Sequence, residues 1–175
     1  MQFIHLSDLH IHTHDADNAA VRHMFDFIMH KYPEHRLIIT GDIADDGTVR
    51  QFENAYAFLE PFKDRLFICP GNHDFGAVGN LYSHERALRF DDILAKPLHQ
   101  GGTFKGDSTP VVNFVRDGDI HIMLIALDSN LETEHPFDFA CGEIGENQLK
   151  ALNTILKSRS AECARKVLFF HHHPF

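Results

Sequence analysis

The stretch "HRLIITGDIADDG", residues 35–47, decides the fold. Leu37, Ile38 and Ile39 make a short apolar run that stops at Thr40, Gly41 and Asp42. A run of this length, bounded by turn residues, reads as a buried strand. The same pattern occurs before it in "QFIHLS" (2–7) and after it in "DRLFICPGNHD" (64–74). Between them, "DNAAVRHMFDFIMHKY" (17–32) spaces Val21, Met24 or Phe25, Ile28 and Tyr32 at helical intervals, with Asp17 or Asn18 as N-cap. "TVRQFENAYAFLEPF" (48–62) does likewise with Phe52, Ala55 or Tyr56 and Leu59, capped by Thr48. Residues 1–74 therefore read β-α-β-α-β, the α/β pattern of a parallel sheet covered by helices.

The second half is looser. "SHERALRFDDILAK" (83–96) reads as a helix and "LHQGGTFKGDSTP" (98–110) as a loop. "VVNFVRDGDIHIMLIALDS" (111–129) reads as a hairpin turning at Asp117-Gly118. "ETEHPFDFACGEIG" (132–145) is a long loop, "GENQLKALNTILKSR" (145–159) an amphipathic helix, and "KVLFFHHHPF" (166–175) a last strand running into histidines. There are no repeats, low-complexity tracts or linker, so the expectation is one domain over 1–175.

Each strand of the first half ends in a polar cluster: "SDLHIH", "TGDIADDG" and "PGNHD". Ligands of open α/β sheets bind beyond the carboxyl ends of the strands, so the clusters point to one place. Asp8 and His10 are two apart, and on an extended segment such residues project to one side. Asp42 follows Gly41, and Asn72 and His73 follow Pro70-Gly71. Carboxylate, amide oxygen and imidazole suit Mn²⁺, Fe or Zn²⁺ better than Ca²⁺ or a thiolate site. Two such cations about 3.5–4 Å apart, sharing one carboxylate, make a two-metal site for phosphoryl chemistry. Asp42, central in chain order, is the natural bridge.

The remaining composition bounds the partners. Asp plus Glu number 25 against 16 Lys plus Arg, a net charge of −9. That argues against a nucleic-acid scaffold or an anionic membrane surface, which need a basic face. No apolar run of about 18 residues is present, so no transmembrane helix is expected. The start "MQFIHLSDLH" lacks the basic and apolar regions of a signal peptide. Cys69, Cys141 and Cys163 are odd in number and lack CxxC spacing, which fits reduced thiols and a cytoplasmic location. Asp45-Asp46 and Asp128-Ser129 read as a polar turn and a strand terminus.

Taken in order, "FIHLSDLHIH", "GDIADDG", "PGNHDF" and "HHHPF" resemble the calcineurin-like metallophosphoesterase superfamily along essentially the whole chain. The resemblance implies a β-sandwich flanked by helices and a dinuclear metal centre that hydrolyses a small phosphoester. Carried onto this sequence, Asp8 and His10 bind one metal, Asp42 bridges and Asn72 binds the second. His73 contacts the phosphate or protonates the leaving oxygen, and Asp74 orients His73. The family's later histidine ligand lies two residues before a proline, which picks His172 against Pro174, leaving His171 to the strand and His173 to the pocket. Within the superfamily, the motifs look most like class III cyclic nucleotide phosphodiesterases and glycerophosphodiesterases. His73 argues against the lipid A hydrolases, which carry Arg there, and the charge of −9 argues against the repair exonucleases.

The family's closing G-H-x-H segment has no counterpart here, so the resemblance implies a domain cut short at its C-terminus, with His12 and His14 near the first cluster. Three outcomes follow: a phosphodiesterase-type hydrolase, a non-catalytic metal- or phosphate-binding module, or a fragment. Self-association into a homo-oligomer stays open.

Overall fold

A computed structural model describes residues 1–105, 110–130, 132, 141–158 and 165–173. Cys163, Pro174 and most of the 132–145 loop fall outside the described residues. The elements in chain order are β1 (Phe3–Leu6), α1 (Ala19–Lys31), β2 (Arg36–Thr40), α2 (Val49–Leu59), β3 (Leu66–Cys69), α3 (Asn72–Phe75), β4 (Gly76–Ala77), β5 (Leu81–Tyr82), α4 (His84–Arg89), β6 (Val111–Asp117), β7 (Ile120–Ala126), α5 (Glu146–Ser158) and β8 (Arg165–Phe169).

The strands β1, β2 and β3 form one parallel sheet in that order. Their carboxyl ends therefore lie along one edge. The helix α2 begins where Thr48 accepts from the Gln51 N–H and the Gln51 side chain reaches back to the Thr48 N–H, a reciprocal cap. A second sheet has the order β6-β7-β8, with β6 antiparallel and β8 parallel to β7. The turn of its hairpin falls on Gly118-Asp119, one residue later than the sequence suggests, with Gly118 at φ +54°.

Alternation along β7 sets how the layers pack. Ile122, Leu124 and Ala126 join the main core with Leu37, Ile39 and Ile68 of the first sheet. Met123, Ile125 and Leu127 face the other way, against Leu152 of α5. Side chains of a strand alternate faces, so β7 is covered on both sides: sheet against sheet, then helix. The main core also holds Phe25 and Ile28 of α1 and Phe52, Ala55 and Leu59 of α2. The parallel sheet covered by helices matches the alternating pattern, and the mixed α/β sandwich matches what the resemblance implied.

Some element ends shift. The helix expected over 83–96 is α4 followed by a wider helical turn over Phe90–Ala95. The last strand stops at Phe169, so the three histidines follow the strand and are not part of it. The short hairpin β4–β5 leaves no signal in the sequence, because two-residue strands carry no period.

Candidate metal centre and catalytic cleft

The loops after β1 and β2 run side by side. The Asp8 N–H donates to Gly41 O, the His10 N–H to Asp42 O and the Ile11 N–H to Ile43 O, at 3.2, 3.0 and 2.9 Å. These bonds hold Asp8, His10 and Asp42 in the left-handed region, at φ +56°, +43° and +50°. Each such non-glycine residue costs about 1–2 kcal/mol, and strain of this kind concentrates at binding sites.

The left-handed turns overturn the extended-segment expectation for Asp8 and His10. They separate the pair into two groups that share Asp42. One group is Asp8, Asp42 and His171; the other is His10, Asp42 and His73; ligand atoms within each lie within 4.8 Å of one another. The Asp42 carboxylate reaches both sides. Its Oδ2 lies 3.4 Å from His171 Nε2 and 3.9 Å from His10 Nε2, while its Oδ1 accepts the His73 N–H at 2.9 Å.

Residue 71 has to be glycine for this to work. A Cβ there would collide with the Asp42 carboxylate and backbone nitrogen. The strand end after β3 thereby packs directly on that after β2. Asn72 Oδ1 lies 3.1 Å from His171 Nε2, placing the amide with the first group. The opposite ring nitrogen, His171 Nδ1, donates to Thr40 O at 2.8 Å, which leaves Nε2 facing the carboxylate.

His172 sits elsewhere. Its Nδ1 bonds Ser129 Oγ at 2.9 Å, and its N–H donates to the same oxygen at 3.3 Å. The assignment of His172 by counting back from Pro174 does not match this placement; His171 is the histidine beside Asp42. The chain bends at His171 and His172, past the end of the strand, so face alternation does not apply to these histidines.

The role expected of Asp74 also changes. Its carboxylate is fully buried and accepts three backbone N–H groups: Ala44 at 2.8 Å, Gly71 at 2.9 Å and Ile43 at 3.2 Å. It staples the loop after β2 to the loop after β3. His73 is oriented instead by Asp45, whose carbonyl accepts from His73 Nδ1 at 2.7 Å. The Asp45 carboxylate meanwhile bonds His10 Nδ1 at 3.2 Å and His12 Nδ1 at 3.3 Å. Asp45, read from the sequence as a polar turn, thus fixes two histidine rings at the site through its side chain and a third through its backbone. His12 contacts this aspartate and not the shared carboxylate.

Charge follows burial. Burial works to raise the Asp42 carboxyl, but His171 beside it and the His73 N–H outweigh this and hold it below its ordinary value. Burial likewise works to lower His171, and the Asp42 charge overrides it, lifting the imidazole to about 9. Burial, then the neighbouring Asp42 charge, pushes Asp74 up to about 7 against the pull of its three N–H donors.

These groups open on one cleft of about 650 Å³, lined by Asp8, His10, Asp42, Asn72, His73, Cys141, Gly142 and His171–His173.

Comparison with known proteins shows the family. A family model described as "Calcineurin-like phosphoesterase" matches residues 1–175. A Coxiella burnetii protein named "Probable cyclic nucleotide phosphodiesterase" is 27% identical over 135 residues, covering 74% of this chain and 52% of that protein. A Nostoc "3',5'-cyclic-nucleotide phosphodiesterase" is 42% identical over 38 residues, covering 22% of this chain and 14% of its own. The matched part of the chain thus spans about half of the first relative and less of the second. A Staphylococcus aureus structure named "Putative 5'-Nucleotidase", solved with alpha-ketoglutarate, superposes with a TM-score of 0.50 at 17% identity, covering 97% of this chain and 36% of that one. At that identity the likeness is one of fold.

Proposed function

We propose a metal-dependent phosphodiester hydrolase with a dinuclear centre, on the ground that the chain belongs to the calcineurin-like phosphoesterase family. The observation that carries the proposal is Asp42, one buried carboxylate shared by two groups of ligand-type side chains. The donor set fits Mn²⁺, Fe or Zn²⁺. The proposed ligands are Asp8, Asp42, Asn72 and His171 on one side, and His10 with Asp42 on the other, beside His73. Bound metals supply a hydroxide nucleophile and neutralise charge on the phosphoryl oxygens.

His73 is the proposed proton donor to the leaving oxygen. Its Nδ1–H is committed to the Asp45 carbonyl, so the proton leaves from Nε2. His171 keeps its Nδ1–H on Thr40 and offers Nε2 as ligand. The substrate proposed is a small phosphodiester of the cyclic-nucleotide or glycerophosphodiester kind; the two phosphodiesterase relatives are named for cyclic nucleotides. Among the described residues no helix is long and apolar enough to cross a membrane. A cytoplasmic setting, with reduced thiols, belongs to the same proposal.

Release of p-nitrophenol from bis(p-nitrophenyl) phosphate by the Mn²⁺-loaded chain tests this reading. A chain that binds phosphate yet releases none is the non-catalytic module instead.

Two further results are expected. Asp45→Ala removes the carboxylate that holds His10, and metal affinity should fall about 10–100-fold, the usual effect of losing a carboxylate behind a ligand histidine. Added Mn²⁺ should restore turnover, and Asp45→Asn, which still accepts a hydrogen bond, should lose less. Unchanged metal affinity in Asp45→Ala refutes the role. The second result concerns pH. The folded value of His171 lies above the ordinary 6.5, so in the metal-free chain its pairing with Asp42 stabilises fully below about 6.5 and is lost as pH rises through about 9. A cation needs the bare Nε2, so uptake at pH 7 expels this proton. Affinity should rise about tenfold per pH unit toward 9. Calorimetry in buffers of different ionisation enthalpy reads the proton released, and a pH-independent affinity contradicts it.

A further inference from the structure

His171, His172 and His173 are adjacent in the chain and all line the cleft, yet His171 is the one beside Asp42. The partners of the ring nitrogens distinguish the first two. His171 Nδ1 lies 2.8 Å from Thr40 O, and a carbonyl only accepts. Nδ1 therefore carries a hydrogen, and Nε2 is the nitrogen that can ligate.

His172 meets the opposite kind of partner. Its Nδ1 lies 2.9 Å from the hydroxyl of Ser129, a buried residue just past β7 that is not part of the cleft wall. The same oxygen accepts the His172 backbone N–H at 3.3 Å. Among the described residues, Nδ1 is the one acceptor within reach of the serine hydroxyl hydrogen. His172 Nε2 is buried and has no partner among them. A neutral His172 ring can then carry its hydrogen in two ways. With the hydrogen on Nδ1, both the serine hydrogen and Nε2 are left unpaired. With the serine donating to Nδ1, only the Nε2–H is. An unpaired buried polar group costs about 1–3 kcal/mol, which decides for the second arrangement.

The ring is also held in place. A Cβ on residue 142 would collide with His172 Cβ, Cγ and Nδ1, so the Gly142 backbone packs directly on the imidazole. That segment is tied to the one carrying Ser129: the Glu143 N–H donates to Ser129 O at 3.0 Å, and Asn130 pairs with Gly142. The His171 and His172 rings stand 4.9 Å apart at 80°.

We propose that Ser129 is a positioning residue that selects the ligand histidine. By donating to His172 Nδ1 it keeps a hydrogen on His172 Nε2, bars that nitrogen from a metal, and leaves the place beside Asp42 to His171. A metal takes only an unprotonated ring nitrogen. The proposal rests on the metal-dependent reading of the cleft and adds to it a buried serine of the second sheet's side.

Nitrogen NMR of the histidine rings in the full chain tests this without turnover. Zn²⁺, diamagnetic and suited to the same donors, is the probe. In the metal-free wild-type chain, His172 is expected as the single Nε2–H tautomer. Added Zn²⁺ should give a coordination shift at His171 Nε2 and none at His172. In Ser129→Ala, His172 should become a mixture of tautomers, and Zn²⁺ should shift both rings. Ser129→Thr, which keeps the hydroxyl, should restore the wild-type pattern. A wild-type His172 with its hydrogen on Nδ1 overturns the selection, as does a Zn²⁺ shift at His172 in the wild-type chain. So does a Ser129→Ala chain in which His172 keeps one tautomer or ignores Zn²⁺. When any of these occurs while Zn²⁺ shifts His171, the selection alone fails. Zn²⁺ that shifts neither ring of the wild-type chain overturns the metal-dependent reading and the selection together.

Discussion

Asp42→Asn is expected to lower hydrolysis of bis(p-nitrophenyl) phosphate by about 10³-fold or more, the scale of losing a main electrostatic element of a phosphoryl-transfer site. The substitution changes one atom and one charge. The amide still accepts the His73 N–H, so the loop after β3 stays in place. What is lost is the negative charge that both ligand groups share. A neutral amide can ligate one cation through one oxygen, but it cannot hold two through a common carboxylate. Metal content should fall below that of the wild-type chain, while circular dichroism and cooperative unfolding are retained. Activity within about tenfold of wild type would remove Asp42 from the bridging role.

Asp74→Ala is expected to act on stability. It removes a buried carboxyl that three backbone N–H groups share, from Ile43, Ala44 and Gly71. Stranding a buried donor costs about 1–3 kcal/mol, so three of them, partly relieved by water entering the gap, cost about 3–5 kcal/mol. For a chain of this size that corresponds to a melting point lower by about 10–15 °C. Asp74→Asn is a sharper comparison. It keeps one accepting oxygen but turns an NH₂ toward an N–H donor, and its loss should fall between wild type and Ala. Thermal unfolding of the metal-free proteins reads all three. A melting point within 2–3 °C of wild type for Asp74→Ala, roughly 1 kcal/mol, would deny the staple.

Much of this was legible in the sequence, and the parts that were not have physical reasons. The run Leu37–Ile39 and its counterparts are short, largely apolar and stop at polar residues, and with helical spacing between them they suit a parallel sheet covered by helices. The polar ends then had to meet, and Asp8, His10, Asp42, Asn72 and His73 do line one cleft. Sequence spacing failed wherever the backbone left regular geometry. Asp8 and His10 sit on left-handed turns, so the two-residue period that should have aligned them does not hold. The same applies after Phe169, where the chain bends at His171 and His172 and His171 lies beside Asp42. The role of Asp45 was hidden for another reason. It depends on two loops, distant in sequence, being bonded side by side at Ile11 and Ala44, and no local pattern encodes that. The role that the resemblance implies for Asp74 differs from its placement, because its carboxylate turns inward to the backbone.

The most direct measurement is the metal content of the purified chain after Mn²⁺ loading, by elemental analysis, taken alongside turnover of bis(p-nitrophenyl) phosphate. Two ions per chain with turnover, both lost in Asp42→Asn, is the predicted result. One ion or none, or a content that Asp42→Asn leaves unchanged, would contradict a centre built on a shared carboxylate.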